Sequence, residues 1–282
     1  MTERTYNHIG EGIGDVLAAA HEARLKLFGD APLPCVPPCE SPTCRGCAAS
    51  RRRAKDQAEA ERRQRVADRA ERLRGCGVPA PAVVLVAANR LTHTDALGAA
   101  QRWLRSVLAE RAGGKHRAAR VLVLSGPKDS SKTTTAAWLI DHWTYSRVDA
   151  WPHFIAIEDL LDAWYAIDQP GPVTRLRKRD LLTTSLLVLD DVGQEPSHER
   201  IAVPTAEALD IILRKRCDDG LHTVLTTNEM SETDFCARYA ARPRIGERLT
   251  EFSRWVDCPV EGFRHEDRRT DVLRGRSGKG AR

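Results

Sequence analysis

Four short apolar runs divide the second half of the chain. They are Val121-Leu122-Val123-Leu124, Trp151 to Ile157, Leu186-Leu187-Val188-Leu189 and Thr223 to Thr227. Near-continuous apolar stretches of this length suit strands covered on both faces. Between them lie segments of helical period. One starts at Thr134 after the first run, one spans Asp159 to Ile167, and one spans Thr205 to Cys217 with Ala206, Leu209, Ile212 and Leu213 on one face. Ser231, with Asp234 three residues on, caps a further helix. Strands alternating with helices predict an α/β fold with a central parallel sheet flanked by helices. A helix over Thr94 to Ala112 and a short apolar stretch, Val83 to Ala88, precede the first strand.

Upstream the pattern changes. Ala48 to Arg74 is rich in Ala, Arg, Glu and Gln and reads as one helix, with Glu59–Arg63, Glu61–Arg65 and Asp68–Arg72 as i,i+4 pairs. Its apolar residues are too few for a coiled-coil seam. It is either a solvated connector or a surface for a partner or nucleic acid. Gly75-Cys76-Gly77-Val78-Pro79 ends it and marks the edge of an N-terminal module. A shorter helix is expected over Gly14 to Phe28.

The composition is that of an ordinary globular chain, 41% hydrophobic and 29% charged. No apolar run is long enough to span a bilayer, and Met1-Thr2-Glu3-Arg4 does not open a signal peptide. The expected location is the cytoplasm, with no membrane partner. The net charge of +5 is uneven. Residues 51–75 hold ten Lys and Arg against five Asp and Glu, so this stretch alone accounts for +5. The basic, Gly-rich end from Arg274 to Arg282 reads as a disordered tail.

Four of the eight Cys crowd into Cys35, Cys39, Cys44 and Cys47, spaced C-x3-C-x4-C-x2-C among prolines. Thiolates are soft ligands, and four on a turn-rich loop can close a tetrahedron around Zn²⁺. A metal would explain why so apolar-poor a segment folds. The alternative is a Cys/Pro linker with reactive thiols.

The chemistry concentrates after the first strand, in Gly126-Pro127-Lys128-Asp129-Ser130-Ser131-Lys132-Thr133-Thr134. Strand, Gly-opened loop, Lys-Thr and helix is the layout of a phosphate-binding loop, in which backbone N–H groups and a helix N-terminus hold phosphate oxygens. Lys132 would reach the outer phosphates and Thr133 would ligate Mg²⁺. Ser131 stands where the pattern has Gly, so a positive φ there would strain it. The third run ends in Asp190-Asp191-Val192-Gly193, where Asp190 would hold the Mg²⁺ shell and Asp191 would polarise the attacking water. Asn228 closes the fourth run and could orient water beside the γ-phosphate.

In order, the strings GPKDSSKT, LLVLDDVG, TVLTTNEM, RIGERL and RWVDCPVEGFR resemble those of an AAA+ ATPase of the DnaC/DnaI-type replicative helicase loaders, over roughly residues 75 to 265. The resemblance implies a P-loop AAA+ core over 81–270. Before it stands a Cys-rich, zinc-binding module with a basic helix over 1–80, and after it a tail over 271–282. It implies ATP and Mg²⁺ at Lys132, Thr133 and Asp190, a catalytic acid at Asp191, a first sensor at Asn228 and a second at Arg264. It also implies ssDNA binding, ATP-dependent homo-oligomers and delivery of a hexameric replicative helicase. Phe252 stands where the family has its finger Arg, leaving Arg248 or Arg254 as substitutes. With Ser131 and with Asp at position 191, this implies slow turnover. Other readings are an IstB-like transposition helper, a non-hydrolysing AAA+ adaptor, and a DNA-binding zinc protein without nucleotide chemistry.

Overall fold

The computed structural model describes residues 45–91, 94–115, 117–145, 151–165, 176–194 and 199–259, with the backbone alone at 45–49. The helix at 14–28, Cys35, Cys39, Cys44, the Cys47 side chain, Arg264 and the tail at 271–282 lie outside the described residues. Contacts group the chain into two units, Met1–Arg65 and Val66–Arg282.

Helix α1 is Arg45–Gly75, 31 residues long. Glu59 pairs with Arg63, while Glu61 accepts from Gln57 Nε2 at 3.0 Å. Arg72 donates to the Tyr145 hydroxyl and lies over its ring. The turn after α1 sits against the sheet edge. Gly77 has φ 87°, and a Cβ there would lie 2.3 Å from the Phe154 carbonyl. The Phe154 N–H donates to Cys76 O at 2.7 Å.

The apolar stretch that follows is a helix, α2 (Ala80–Ala87), entered through Pro79. Helix α3 (Asp95–Arg111) is capped by Thr94, whose hydroxyl accepts from Leu97 N–H. The remaining elements are β1 (Val121–Ser125), α4 (Lys132–Tyr145), β2 (His153–Ala156), a 3₁₀ turn over Ile157–Asp159, α5 (Leu160–Tyr165), α6 (Lys178–Thr183), β3 (Leu186–Val192), α7 (Glu199–Asp218), β4 (His222–Thr227), α8 (Glu232–Arg238), α9 (Pro243–Phe252) and β5 (Ser253–Asp257). Ser231 caps α8, accepting from Asp234 N–H. Helix α7 begins upstream of the expected Thr205 and runs through Pro204. A Pro so near the start forfeits only the bond to the Arg200 carbonyl, which the helix tolerates.

The five strands pair in parallel in the order β2-β3-β4-β1-β5. Strand β2 lies between the two motif strands in sequence, but in the sheet β4 separates them. Alternating side chains feed two cores. Leu122, Leu124, Val188 and Val224 face the layer of α2, α3 and α4. Val121, Val123, Leu187, Leu189 and Leu225 face the layer containing α7.

Helix α4, which begins in the phosphate loop, is braced by α1. Arg69 grips Asp141 with two bonds, Nε to Oδ1 at 2.9 Å and Nη2 to Oδ2 at 2.6 Å, and Asp141 is 1% exposed. Two residues on in α4, Trp143 stacks near Trp103 with His222 against both rings, and the Arg111 guanidinium lies over Trp143.

Candidate nucleotide site

Between β1 and α4 the loop makes tight reversals. Gly126, Asp129 and Ser131 have φ of 141°, 66° and 65°. The expected left-handed backbone at Ser131 is therefore present, and its Oγ is buried without a hydrogen-bond partner. Gly126 has no alternative: a Cβ there would lie 2.3 Å from the Cys258 carbonyl at the end of β5. The pairing of β5 beside β1 thus fixes where the loop starts.

Lys132 opens α4 and folds back over the loop. Its Nζ donates to Gly126 O and Pro127 O, both at 2.7 Å, and to Ser130 Oγ at 3.2 Å. Burial draws its pKa below the usual lysine value, against the nearby carboxylates of Asp191, Asp190 and Asp129.

Thr133, one residue on, faces the end of β3. Its Oγ1 donates to Asp190, at 3.1 Å from each carboxylate oxygen. Thr226 on the neighbouring β4 donates to Asp190 Oδ1 at 2.5 Å and accepts the Asp191 N–H at 2.9 Å. Burial pushes the Asp190 carboxyl up to about 6, with Asp191 adding to the shift and the two Thr hydroxyls and Lys132 opposing it. Asp191 has φ 58°, and the β3–β4 register shifts between Leu189 and Val192. That irregularity leaves Asp190 buried and turns Asp191 outward, the re-aiming a β-bulge provides.

These pieces surround one cavity of about 270 Å³, lined by residues 128–134 with Asp191, Asn228 and Leu85. The structure brings together the loop, both acids and Asn228. Arg248 and Arg254, the expected substitutes for a finger that enters a neighbouring subunit's site, lie away from this cavity. Arg248 pairs with Asp218 at 3.1 Å and lies over the Phe252 ring, and Arg254 is exposed on the edge strand β5. Thr226 and Leu85 were not singled out from the sequence. A buried Thr facing two acids across neighbouring strands could have signalled the first. The apolar run of α2 gave no sign that Leu85 would face the loop.

The donor set fits a phosphate chain with a hard divalent cation. A Thr hydroxyl and a carboxylate meet at one point, oxygen ligands of the type Mg²⁺ takes. The loop beside them presents main-chain turns, the Lys132 ammonium, a second lysine at Lys128 and the unsatisfied Ser131 hydroxyl. For Zn²⁺, the described residues hold no cluster of three or more His, Cys, Asp or Glu placed to bind a metal. The four Cys lie outside that comparison. No helix among the described residues is long and apolar enough to cross a membrane.

Five parallel strands flanked by helices on both faces, with a phosphate-loop layout after the first strand, make a layered α/β fold. The chain is structurally similar, at low identity, to helicase loaders and to DnaA proteins. A DnaI crystal structure aligns at TM-score 0.45 and 20% identity, covering 58% of this chain and 86% of that one. A DnaC helicase loader aligns at 0.42 and 17%, covering 56% and 90%. AMPPCP-bound DnaA from Aquifex aeolicus aligns at 0.46 and 13%, covering 69% and 56%. No family model matches the sequence, and neither does any curated protein.

Proposed function

We propose that this protein is a helicase-loader-like AAA+ ATPase that binds ATP with Mg²⁺ in the cavity beside Ser131 and Lys132. The observation that carries the reading is the meeting of Thr133 and Asp190 at the floor of a cavity whose rim holds Lys132, Asp191 and Asn228. On phosphate binding, Lys132 Nζ exchanges the Gly126 and Pro127 carbonyls for phosphate oxygens. Thr133 and Asp190 hold the cation, which supplies charge neutralisation along the phosphates. Asp191 and Asn228 orient the attacking water. Arg264 contacts the phosphates from the same subunit. Turnover is slow. Arg248 is engaged with Asp218, and the strained Ser131 replaces Gly in the loop.

In the same reading the protein works in the cytoplasm as a homo-oligomer on ATP and ssDNA, and it delivers or regulates a hexameric replicative helicase. Its N-terminal module holds Zn²⁺ through Cys35, Cys39, Cys44 and Cys47. Support comes from the ordered motifs. The solved structures bearing the DnaC and DnaI names add likeness of fold.

The test mixes the full chain with its host's replicative helicase, with ATP and Mg²⁺, on a sizing column. Co-elution that disappears in Lys132→Ala supports the loader reading. No helicase bound under any nucleotide condition overturns it.

A further inference from the structure

Between Arg51 and Arg65 helix α1 carries seven Arg and Lys against three Asp and Glu. At 100° per residue, Arg51, Arg52, Lys55, Arg62 and Arg65 fall within roughly 140° of its circumference. Asp56, Glu61, Asp68 and Glu71 occupy an opposite arc of about the same width. Glu59 sits on the basic side, where it pairs with Arg63. Residues 51–65 are exposed throughout. They extend about 21 Å along the axis at 1.5 Å per residue.

A connector helix that only needs solvation interleaves opposite charges along one face. Here five Arg and Lys share an arc that holds one acid, Glu59. The chemistry of that face narrows what it can bind. Between Arg51 and Arg65 the only apolar residues are Ala54, Ala58 and Ala60. A helix that lies in a membrane needs a large apolar face, and a protein interface needs aromatic or large aliphatic anchors at its centre. Single-stranded nucleic acid is held by aromatic platforms on which bases stack, and this stretch has none. Duplex DNA requires neither. It offers a phosphate charge about every 1.7 Å, and its major groove, about 12 Å wide, admits a helix. The deep, narrow major groove of duplex RNA does not.

We propose that the basic face of α1, through Arg52, Lys55, Arg62 and Arg65, binds the phosphate backbone of double-stranded DNA. None of these residues lines the nucleotide cavity, and the inference stands without the ATPase reading. It gives the protein a duplex contact in addition to the single-stranded one.

The test is a full-length variant carrying Arg52→Gln, Lys55→Gln, Arg62→Gln and Arg65→Gln. Arg and Gln have similar helix propensity, so the helix persists, as circular dichroism will report. The control loses the same charge off the face: Arg53→Gln, Arg74→Gln, Lys115→Gln and Arg117→Gln. Binding to a random-sequence duplex is followed by fluorescence anisotropy across a salt series. Each lost phosphate contact flattens the slope of log K against log salt by about 0.9. The face variant should therefore lose roughly 3 to 4 in slope and at least about tenfold in affinity, while the control keeps both. Equal losses in the two variants would make the effect one of net charge and overturn the proposal. So would an unchanged face variant. A larger loss on a single-stranded oligonucleotide, or on polyglutamate as an acidic-protein probe, would also overturn it. ATP affinity is measured on the same samples. Loss of duplex binding with ATP affinity intact separates this inference from the nucleotide reading.

Discussion

Thr133 Oγ1 stands 3.1 Å from both carboxylate oxygens of Asp190, joining the first turn of α4 to the end of β3. The contact holds a buried acid, and burial is costly for its ionised form. Burial pushes the Asp190 carboxyl from 3.8 up to about 6 in the fold. Its folded pKa is raised, so the stability it contributes is full below pH 3.8 and is lost as pH rises through 6. Above that range the free protein carries a penalty of up to about 3 kcal/mol.

Asp190→Asn removes this penalty and keeps an acceptor for the Thr226 hydroxyl. At pH 8 the variant should unfold at higher urea than wild type, by about 2 to 3 kcal/mol, yet show no Mg²⁺ dependence of nucleotide affinity. A variant less stable than wild type at pH 8 would contradict the assignment.

Ser131 combines a left-handed backbone with a buried hydroxyl that has no partner. Both are unfavourable, and Gly avoids both. Ser131→Gly should stabilise the nucleotide-free protein by about 1 kcal/mol, read by chemical denaturation. No gain, or a loss, would mean that the loop relaxes around Ser in solution.

The Arg69–Asp141 pair is bidentate, with Asp141 buried and Arg69 half-buried. Removing one partner leaves the other charge without its mate in a dry setting. Arg69→Ala should cost about 3 kcal/mol or more, whereas Arg69→Met with Asp141→Leu should recover most of it. A single-variant cost below about 1 kcal/mol would show that the pair is water-exposed in solution.

Much of this was legible in the sequence because each strand announces itself. Apolar runs such as Leu186 to Leu189 have no stable place except inside a sheet, and the acids that follow can only lie at its edge. Thr94 and Ser231 marked their helices by side-chain capping, a local effect. What was not legible depends on contacts between distant segments. Thr226 meets Asp190 only because β4 separates β1 from β3. The turn at Asp191 comes from a register shift that no short window encodes. The role of Leu85 depends on how α2 packs on α4. The strain at Ser131 was readable in advance, since the motif itself states where Gly belongs.

His222 supplies a pH signature remote from the nucleotide cavity. Burial, with the Arg120 and Arg111 charges beside it, pushes its imidazole down to about 3 from 6.5. The folded pKa is depressed, so its stability is present above 6.5 and is lost as pH falls toward 3. The advantage of wild type over His222→Gln should shrink by about 1.4 kcal/mol per unit between pH 6.5 and 4.5, as Asp190 affects both proteins alike. A pH-independent difference would mean that His222 titrates normally.

The central claim is that the loop from Gly126 to Thr134 holds nucleotide phosphates, and calorimetric titration of ATP with Mg²⁺ into wild type and Lys132→Ala tests it most directly. Loss of the ammonium and its charge-assisted contacts should weaken binding by roughly 10- to 100-fold, with the variant still folded. Equal affinity in the two proteins, or no ATP binding by wild type, would contradict the account.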